Sequence, residues 1–240
     1  MRLDKMLANS GYGTRSEVRG LISRGQVMVN GCIVKRPEHQ VSEGDEVSLD
    51  GKVITSSEYL YYLLDKPDEV LTAMEDPRLH NVGEFIPDSL RGRKLAPVGR
   101  LDYHTTGLLI ITNDGTLSHR LQSPRYKIRK VYLADYIGPD WTSEQIDEVR
   151  RGLTLTDTDT PTLLSPAEVR PSDTGRAYIT LTEGKTHEVR RIFAHYGREV
   201  TALRRISLGD LKITEETADC GLLRELTSDE ISGLKRLTGL

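Results

Sequence analysis

The sequence predicts an α+β protein in which a small helix-rich unit precedes a larger domain with a mixed, largely antiparallel sheet. Capping boxes at Thr14–Glu17 and Thr227–Glu230 mark helix starts near both ends of the chain. Short apolar runs of strand length, such as Leu108–Ile111, end in turn residues. Strands and helices do not alternate strictly, which favours helices on the faces of an antiparallel sheet over a doubly wound parallel one.

The first unit is predicted to cover residues 1–54. Apolar residues at helical spacing predict a helix at Leu3–Leu7 and, after a glycine-rich break, a second helix with its apolar stripe on Val18–Ile22. Two strand-like runs follow, at 27–29 and 47–49, and each turns at a residue pair that ends in glycine.

The second domain is predicted to cover residues 55–240 and to begin with a polar linker over 55–58. Its strands are expected near 60–64, 108–112, 131–137, 177–181 and 202–206. Its helices are expected near 143–151, 185–196 and 229–237. The run at 108–111 is continuously apolar, as expected of a central strand that is covered on both faces.

Composition excludes several classes of protein. No run approaches the ~20 apolar residues of a membrane span, and the N-terminal residues lack the apolar core of a signal peptide. Cys32 and Cys220 are far apart, and neither they nor the six histidines fall at metal-ligand spacing. No dinucleotide-binding or phosphate-binding glycine loop is present. We therefore expect a cytoplasmic protein without a metal site or a membrane partner.

The net charge of −3 hides an uneven distribution. Basic residues are concentrated in residues 1–30, 91–130 and 185–212, whereas residues 53–90 and 131–175 are acidic. Each basic block alone is equally well explained as a solvated helix face. Three such blocks in one chain favour contact with a polyanion.

Asp102 is the candidate catalytic carboxylate. It lies in a loop rich in glycine and threonine that leads directly into the apolar strand at 108–111. A loop anchored by such a strand holds a side chain firmly, which suits catalysis. An aspartate close to glycine is also an ordinary turn residue, so these facts alone leave both interpretations open.

Two other segments offer partners for such a carboxylate. The predicted helix at 185–196 carries His187, Arg190 and Arg191 on one face, where they are either solvated or directed at a buried carboxylate. The segment 127–133 alternates basic with apolar or aromatic residues. This pattern is equally consistent with an edge strand and with a platform on which an unstacked base stacks.

Together these segments resemble the RsuA branch of the ribosomal RNA pseudouridine synthases, and the resemblance covers essentially the whole chain in order. The first fifty residues are similar to the RNA-binding module first named in ribosomal protein S-four. The segments that match the motifs of the catalytic domain are Leu64–Pro67, Gly99–Asp102 with Thr106–Leu109, Lys130–Tyr132, Leu181–Gly184 and His187–Arg191.

The resemblance implies a pseudouridine synthase fold and a reaction that needs no cofactor or metal. The C1′–N1 bond of a uridine breaks, the uracil turns, and it rejoins the sugar through C5. Asp102 would be the essential carboxylate, acting either as a nucleophile or by removing a sugar proton. Arg190 would form an ion pair with it, Tyr132 would stack on the flipped uracil and Leu181 would pack against the base.

The resemblance also implies extensive RNA contacts, because the target base must leave its stack at a cost of roughly a few kcal/mol. The N-terminal members of this set would position RNA electrostatically rather than read its sequence. The expected contacts are Arg100, Lys66, Lys130, His187, Arg191, Arg2, Lys5, Arg15, Arg19 and Arg24.

Three positions depart from the family pattern. Asp65 stands where relatives usually carry Asn, Asp68–Glu69 where Gly soon follows the proline, and Glu188 where Gln is usual. These changes add negative charge near an expected phosphate-binding surface, so they affect the expected loop shape and RNA affinity.

The segment Ser118–Leu121 with Ser123–Arg125 resembles the small-subunit enzymes. We therefore expect the target to be a uridine of 16S rRNA in an assembling small subunit. We also expect the protein to act as a monomer. A 23S rRNA target is the alternative within the family. A non-catalytic rRNA-binding assembly factor is the alternative outside enzymes, and an RNA methyltransferase would require a methyl donor.

Overall fold

The computed structural model describes residues 1–10, 12–42, 44–54, 59–90, 92–158, 160–216 and 220–240. The chain divides into two compact units. The first contains Met1–Leu60 together with Pro87–Leu95, and the second contains Tyr61–Ile86 and Ala96–Leu240. The expected linker at 55–58 lies outside the described residues. The domain boundary after residue 54 stays a prediction.

The first unit packs two short helices against a small antiparallel sheet. Its core is formed by the predicted apolar stripes, with Leu3, Val18 and Ile22 completely buried. Thr14 and Glu17 form the predicted capping box. The sheet order is β2-β1-β3-β4. The elements are α1 (Leu3–Asn9), α2 (Arg15–Ser23), β1 (Val27–Val29), β2 (Cys32–Ile33), β3 (Val47–Leu49) and β4 (Lys52–Ile54).

The second unit contains a large mixed sheet with helices packed on it. The strands are β5 (Tyr61–Lys66), β6 (Ala96–Pro97), β7 (Thr105–Thr112), β8 (Lys130–Ile137), β9 (Thr154–Leu155), β10 (Thr162–Leu163), β11 (Glu168–Pro171), β12 (Arg176–Leu181), β13 (Glu199–Leu208), β14 (Leu211–Lys212) and β15 (Leu223–Glu225). The α-helices are α3 (Gly115–Gln122), α4 (Ser143–Arg151), α5 (Glu188–His195) and α6 (Ser228–Thr238).

The sheet order β11-β12-β8-β13-β7-β5-β15 confirms the α+β class. Neighbouring strands along this order pair antiparallel except β7 and β13, which are parallel. Strand β7 lies inside the sheet between β5 and β13, and Leu108, Leu109, Ile110 and Ile111 are completely buried, as the continuous apolar run predicts. The Asp102 loop therefore joins the central region of the sheet at the start of β7.

The predicted helix at 143–151 is confirmed residue for residue, and the capping box at Thr227 and Glu230 is confirmed at the start of α6. The predicted helix at 185–196 is three residues shorter at its start, because His187 adopts a left-handed conformation with φ 51° and α5 begins after it. Helix α3 was not predicted. The side chain of Asp114 accepts hydrogen bonds from the backbone N–H groups of Thr116 and Leu117, so the turn expected there instead caps a helix.

No helix in the described ranges is long and apolar enough to cross a membrane.

Replacing Gly107 by alanine is expected to destabilise the sheet by about 3 kcal/mol. Gly107 has φ +100°, and a Cβ built there would lie 2.3 Å from the carbonyl oxygen of Arg205 on β13. The parallel pairing of β7 with β13 therefore needs glycine here. Chemical unfolding measures the loss, with Gly115→Ala as the control because a Cβ there meets nothing within 4 Å. Equal stability of the two variants would contradict this account.

Candidate active site

The Asp102 loop is held by hydrogen bonds to the backbone of Leu101 and of Asp102 itself. The Thr72 hydroxyl donates to Leu101 O at 2.6 Å and accepts from Leu101 N at 3.1 Å. The Thr105 N–H donates to Asp102 O at 3.0 Å and closes a turn. The Asp102 side chain remains partly exposed, at 39 %. The backbone is thus fixed while the carboxylate stays accessible, as a reacting group requires.

Lys66 is the main clamp on this loop. It is completely buried, and its ammonium donates to Tyr103 O at 3.1 Å, Thr105 O at 2.9 Å and Pro67 O at 2.9 Å. Burial lowers the pKa of Lys66 to about 8, although the neighbouring Asp68 and Asp102 oppose this shift. These contacts correct the expectation that Lys66 binds RNA, because a buried ammonium with three carbonyl acceptors has no surface to offer.

A recess of about 70 Å³ opens beside Asp102. Tyr132 and Leu181 line it from the paired strands β8 and β12, and both are largely buried. Arg100 and His187 also line it. The structure therefore brings together the carboxylate, the expected stacking tyrosine and the expected apolar contact in one small concave site.

A larger cleft of about 1250 Å³ adjoins the recess and shares Asp102 and His187 with it. Arg190 lines this cleft, but its guanidinium donates to Val200 O at 2.7 Å and to His104 O at 3.1 Å. Within the described residues no ion pair joins Arg190 to Asp102. Among the residues that the structure describes, His187 lies closest to forming such a pair, with Nε2 at 3.7 Å from Oδ1 of Asp102.

The expected Arg190–Asp102 ion pair is therefore not formed in this structure, since the guanidinium donates its hydrogen bonds to two backbone carbonyls instead. One of them, His104 O, belongs to the Asp102 loop. Arg190 thus helps to fix the loop together with Thr72 and Lys66. No sequence pattern points to Thr72, because it is an isolated threonine about thirty residues upstream of the loop.

Two further side chains that were expected to contact RNA, Lys130 and Arg191, are bonded to other groups of the protein. Lys130 is largely buried, and its Nζ donates to Glu183 O at 3.2 Å. Burial lowers the pKa of Lys130 as well. Arg191 forms a two-pronged ion pair with Asp157, with both nitrogen–oxygen distances at 2.7 Å. Both side chains therefore have structural partners that RNA would have to displace.

Glu188 is buried behind the recess at the start of α5. Its Oε2 accepts from the Lys185 N–H at 2.7 Å, whereas Oε1 is buried without a hydrogen-bond partner in the described structure. Burial raises the pKa of Glu188 to about 7. The Lys185 N–H opposes this shift, and the adjacent Glu183 reinforces it. The departure from glutamine therefore places an ionisable group in the wall of the site.

Asp65 is buried, which corrects the expectation that its negative charge lies near the phosphate-binding surface. Asp65 forms a buried pair with Arg204, at 2.8 Å and 2.6 Å between the two oxygens and the two terminal nitrogens. Glu69 has φ +55°, so it adopts the left-handed conformation that the family's usual glycine favours. Asp68 remains exposed and contacts His104 Nδ1 at 3.1 Å.

Two residues of the segment that resembles the small-subunit enzymes, Arg120 and Leu121, contribute to the packing of the fold. Arg120 donates to Thr238 O and Gly239 O, both at 2.8 Å, and so caps the C-terminal end of α6. Leu121 is buried. The expected N-terminal RNA contacts lie in the first unit, on or beside its two helices: Arg2, Lys5, Arg15, Arg19 and Arg24.

Comparison with known proteins matches both parts of the chain to families. The family model described as RNA pseudouridylate synthase matches residues 60–195, and the S4 domain model matches residues 1–47. A crystal structure of a pseudouridylate synthase has 33% sequence identity, covers 98% of this chain and 99% of its own, and superposes with a TM-score of 0.68.

Curated relatives match over nearly their whole length. An uncharacterized RNA pseudouridine synthase of Bacillus subtilis is 37% identical, over 96% of this chain and 97% of its own. Ribosomal small subunit pseudouridine synthase A of Vibrio parahaemolyticus is 34% identical, over 98% and 99%. Ribosomal large subunit pseudouridine synthase B of Bacillus subtilis is 32% identical, over 98% and 96%. With the Asp102 site and this full-length similarity, the chain belongs to the RNA pseudouridine synthase family and carries an N-terminal S4 domain.

Proposed function

We propose that this protein converts a uridine of ribosomal RNA to pseudouridine, and that the target lies in 16S rRNA of an assembling small subunit in the cytoplasm. The observation that carries the proposal is a partly exposed carboxylate, Asp102, on a loop fixed by hydrogen bonds beside a recess lined by Tyr132 and Leu181. Four further relatives named small-subunit enzymes, at 34–35% identity, support the 16S target.

The recess supplies what the isomerisation of a flipped base needs. Tyr132 offers an aromatic face, Leu181 an apolar wall, and Asp102 a carboxylate that either adds to the nucleotide or removes a sugar proton. The fixed loop keeps Asp102 in place while the uracil detaches, turns and rejoins through C5. Arg190 and Lys66 then act on the reaction by positioning this loop.

We also propose that residues 1–54 form the RNA-binding module and residues 55–240 the catalytic domain. The S4 match over residues 1–47 supports the module, and its arginines supply the positive charge that a phosphate backbone attracts. The whole protein is proposed to act as a monomer.

Asp102→Asn is expected to abolish pseudouridine formation, because the amide can neither attack the nucleotide nor accept a proton. Purified protein is incubated with 16S rRNA, 23S rRNA and small-subunit assembly particles, and pseudouridine is mapped by carbodiimide-dependent reverse-transcription stops. Asp173→Asn, an exposed aspartate of the same domain, is the matched control.

A new stop in 16S rRNA that disappears only with Asp102→Asn is the expected result. A stop confined to 23S rRNA would assign the large-subunit target instead. No stop with the wild-type protein would favour a non-catalytic assembly factor. An equal stop with Asp102→Asn would contradict the role of Asp102 as the essential carboxylate.

A further inference from the structure

Three arginines of the first unit converge on one buried carboxylate. Asp4 lies in the first turn of α1 and is completely buried. Arg2 binds both of its oxygens, with Nε to Oδ1 at 3.0 Å and a terminal nitrogen to Oδ2 at 2.9 Å. The Nε atoms of Arg15 and Arg19 approach the same Oδ2 at 3.9 Å and 3.4 Å from the first turns of α2.

The arginines themselves remain accessible. Their side chains are 38%, 62% and 57% exposed for Arg2, Arg15 and Arg19, whereas that of Asp4 is 1% exposed. One carboxylate cannot neutralise three guanidinium groups, so the cluster keeps an excess of positive charge at the surface. Arg15 and Arg19 approach Asp4 through Nε, and a guanidinium carries four more N–H donors on its terminal nitrogens.

Gathering three cations at one place costs free energy through their mutual repulsion. The Asp4 carboxylate offsets this cost, and the hydrogen bonds from Arg2 lower the pKa of Asp4, so it stays ionised. A site whose cations are already gathered loses less side-chain entropy when an anion binds. We infer that Asp4 is the positioning residue of a phosphate-binding site formed by Arg2, Arg15 and Arg19, and that this site holds the RNA backbone.

This inference rests on the proposed RNA-binding role of the first unit, and it predicts an effect opposite in sign to simple charge counting. Asp4→Asn removes a negative charge from an RNA-binding surface, so long-range electrostatics alone would tighten RNA binding. If Asp4 positions the arginines, the same change weakens binding. Glu38→Gln is the matched control, because Glu38 is exposed, lies near Arg2 and undergoes the same change of charge.

The test measures binding of the full-length protein to 16S rRNA transcribed in vitro over a range of salt concentrations. Asp4→Asn is expected to weaken binding several-fold and to reduce the slope of log affinity against log salt by about one, as for one lost phosphate contact. Glu38→Gln is expected to bind as tightly as wild type or more tightly. Binding by Asp4→Asn equal to that of Glu38→Gln would overturn the inference.

A second pair of variants tests the inference even if Asp4→Asn unfolds the first unit. Arg19→Ala and Arg24→Ala remove the same charge from one helix region, but Arg24 contacts Gln26 rather than Asp4. Arg19→Ala is expected to lose more affinity and more salt dependence. Equal losses would overturn the inference. Wild-type binding that does not depend on salt would instead contradict the proposed RNA-binding role itself.

Discussion

Replacing Lys66 by methionine is expected to reduce kcat on the order of a hundredfold while the protein remains folded. The ammonium holds Tyr103 O and Thr105 O, one residue and three residues after Asp102, and methionine fills similar space without a donor. One carbonyl of the loop and one at the start of β7 then lose their partner, which frees the Asp102 backbone to shift. A displacement of about 1 Å at a reacting group is enough for a loss of this size.

Stability should change much less than activity in this variant. Leaving carbonyls unpaired costs free energy, whereas removing a buried charge recovers the cost of its desolvation. Lys212→Met, on exposed residue 212, is the control. Pseudouridine formation under saturating RNA gives kcat, and chemical unfolding gives stability. A folded Lys66→Met protein with wild-type kcat would show that the clamp is not needed for catalysis.

The lowered pKa of Lys66, about 8, adds a pH signature to the same experiment. Above this pH the neutral amine retains two N–H donors for three carbonyl acceptors, so wild-type kcat is expected to fall as the pH rises through about 8. Stability moves the other way. Because the folded pKa lies below the ordinary lysine value of 10.5, the unfolded chain binds the proton more tightly, and the Lys66 contribution to stability rises between these pH values. Lys66→Met should show neither effect.

Replacing Glu188 by glutamine is expected to stabilise the protein by about 3 kcal/mol at pH 8 and by almost nothing at pH 4. Burial raises the pKa of Glu188 from 4.5 to about 7, so the folded state favours the protonated acid. The stability that this proton provides is complete below pH 4.5 and is lost as the pH rises through 7. Glutamine has the same shape and does not ionise, and its oxygen can still accept the Lys185 N–H.

The groups facing Glu188 set this titration. Glu183 raises the pKa of Glu188 and Lys185 lowers it, while Lys130 and Arg191 also lie close enough to interact. Urea unfolding at pH 4, 6 and 8 measures the difference, with Glu75→Gln as an exposed control. A gain for Glu188→Gln that is the same at every pH would exclude ionisation as its cause.

The sequence by itself determined the fold class, most of the helix starts and the central strand. These features depend on local chemistry: Thr14 and Glu17 cap the start of α2 with their own side chains, and four consecutive apolar residues at 108–111 need burial on both faces. The resemblance added candidate site residues. Asp102, Tyr132 and Leu181 indeed lie around one recess.

Only the tertiary structure decided which charged side chains are available to a ligand. Lys66, Lys130, Arg191 and Asp65 have partners on other strands, helices or loops, and no spacing along the chain indicates them. The physical reason is that a charge is buried only where distant segments supply its partners. The same rule conceals Asp4: in the sequence it is a helix-start aspartate, and in the fold it gathers three arginines.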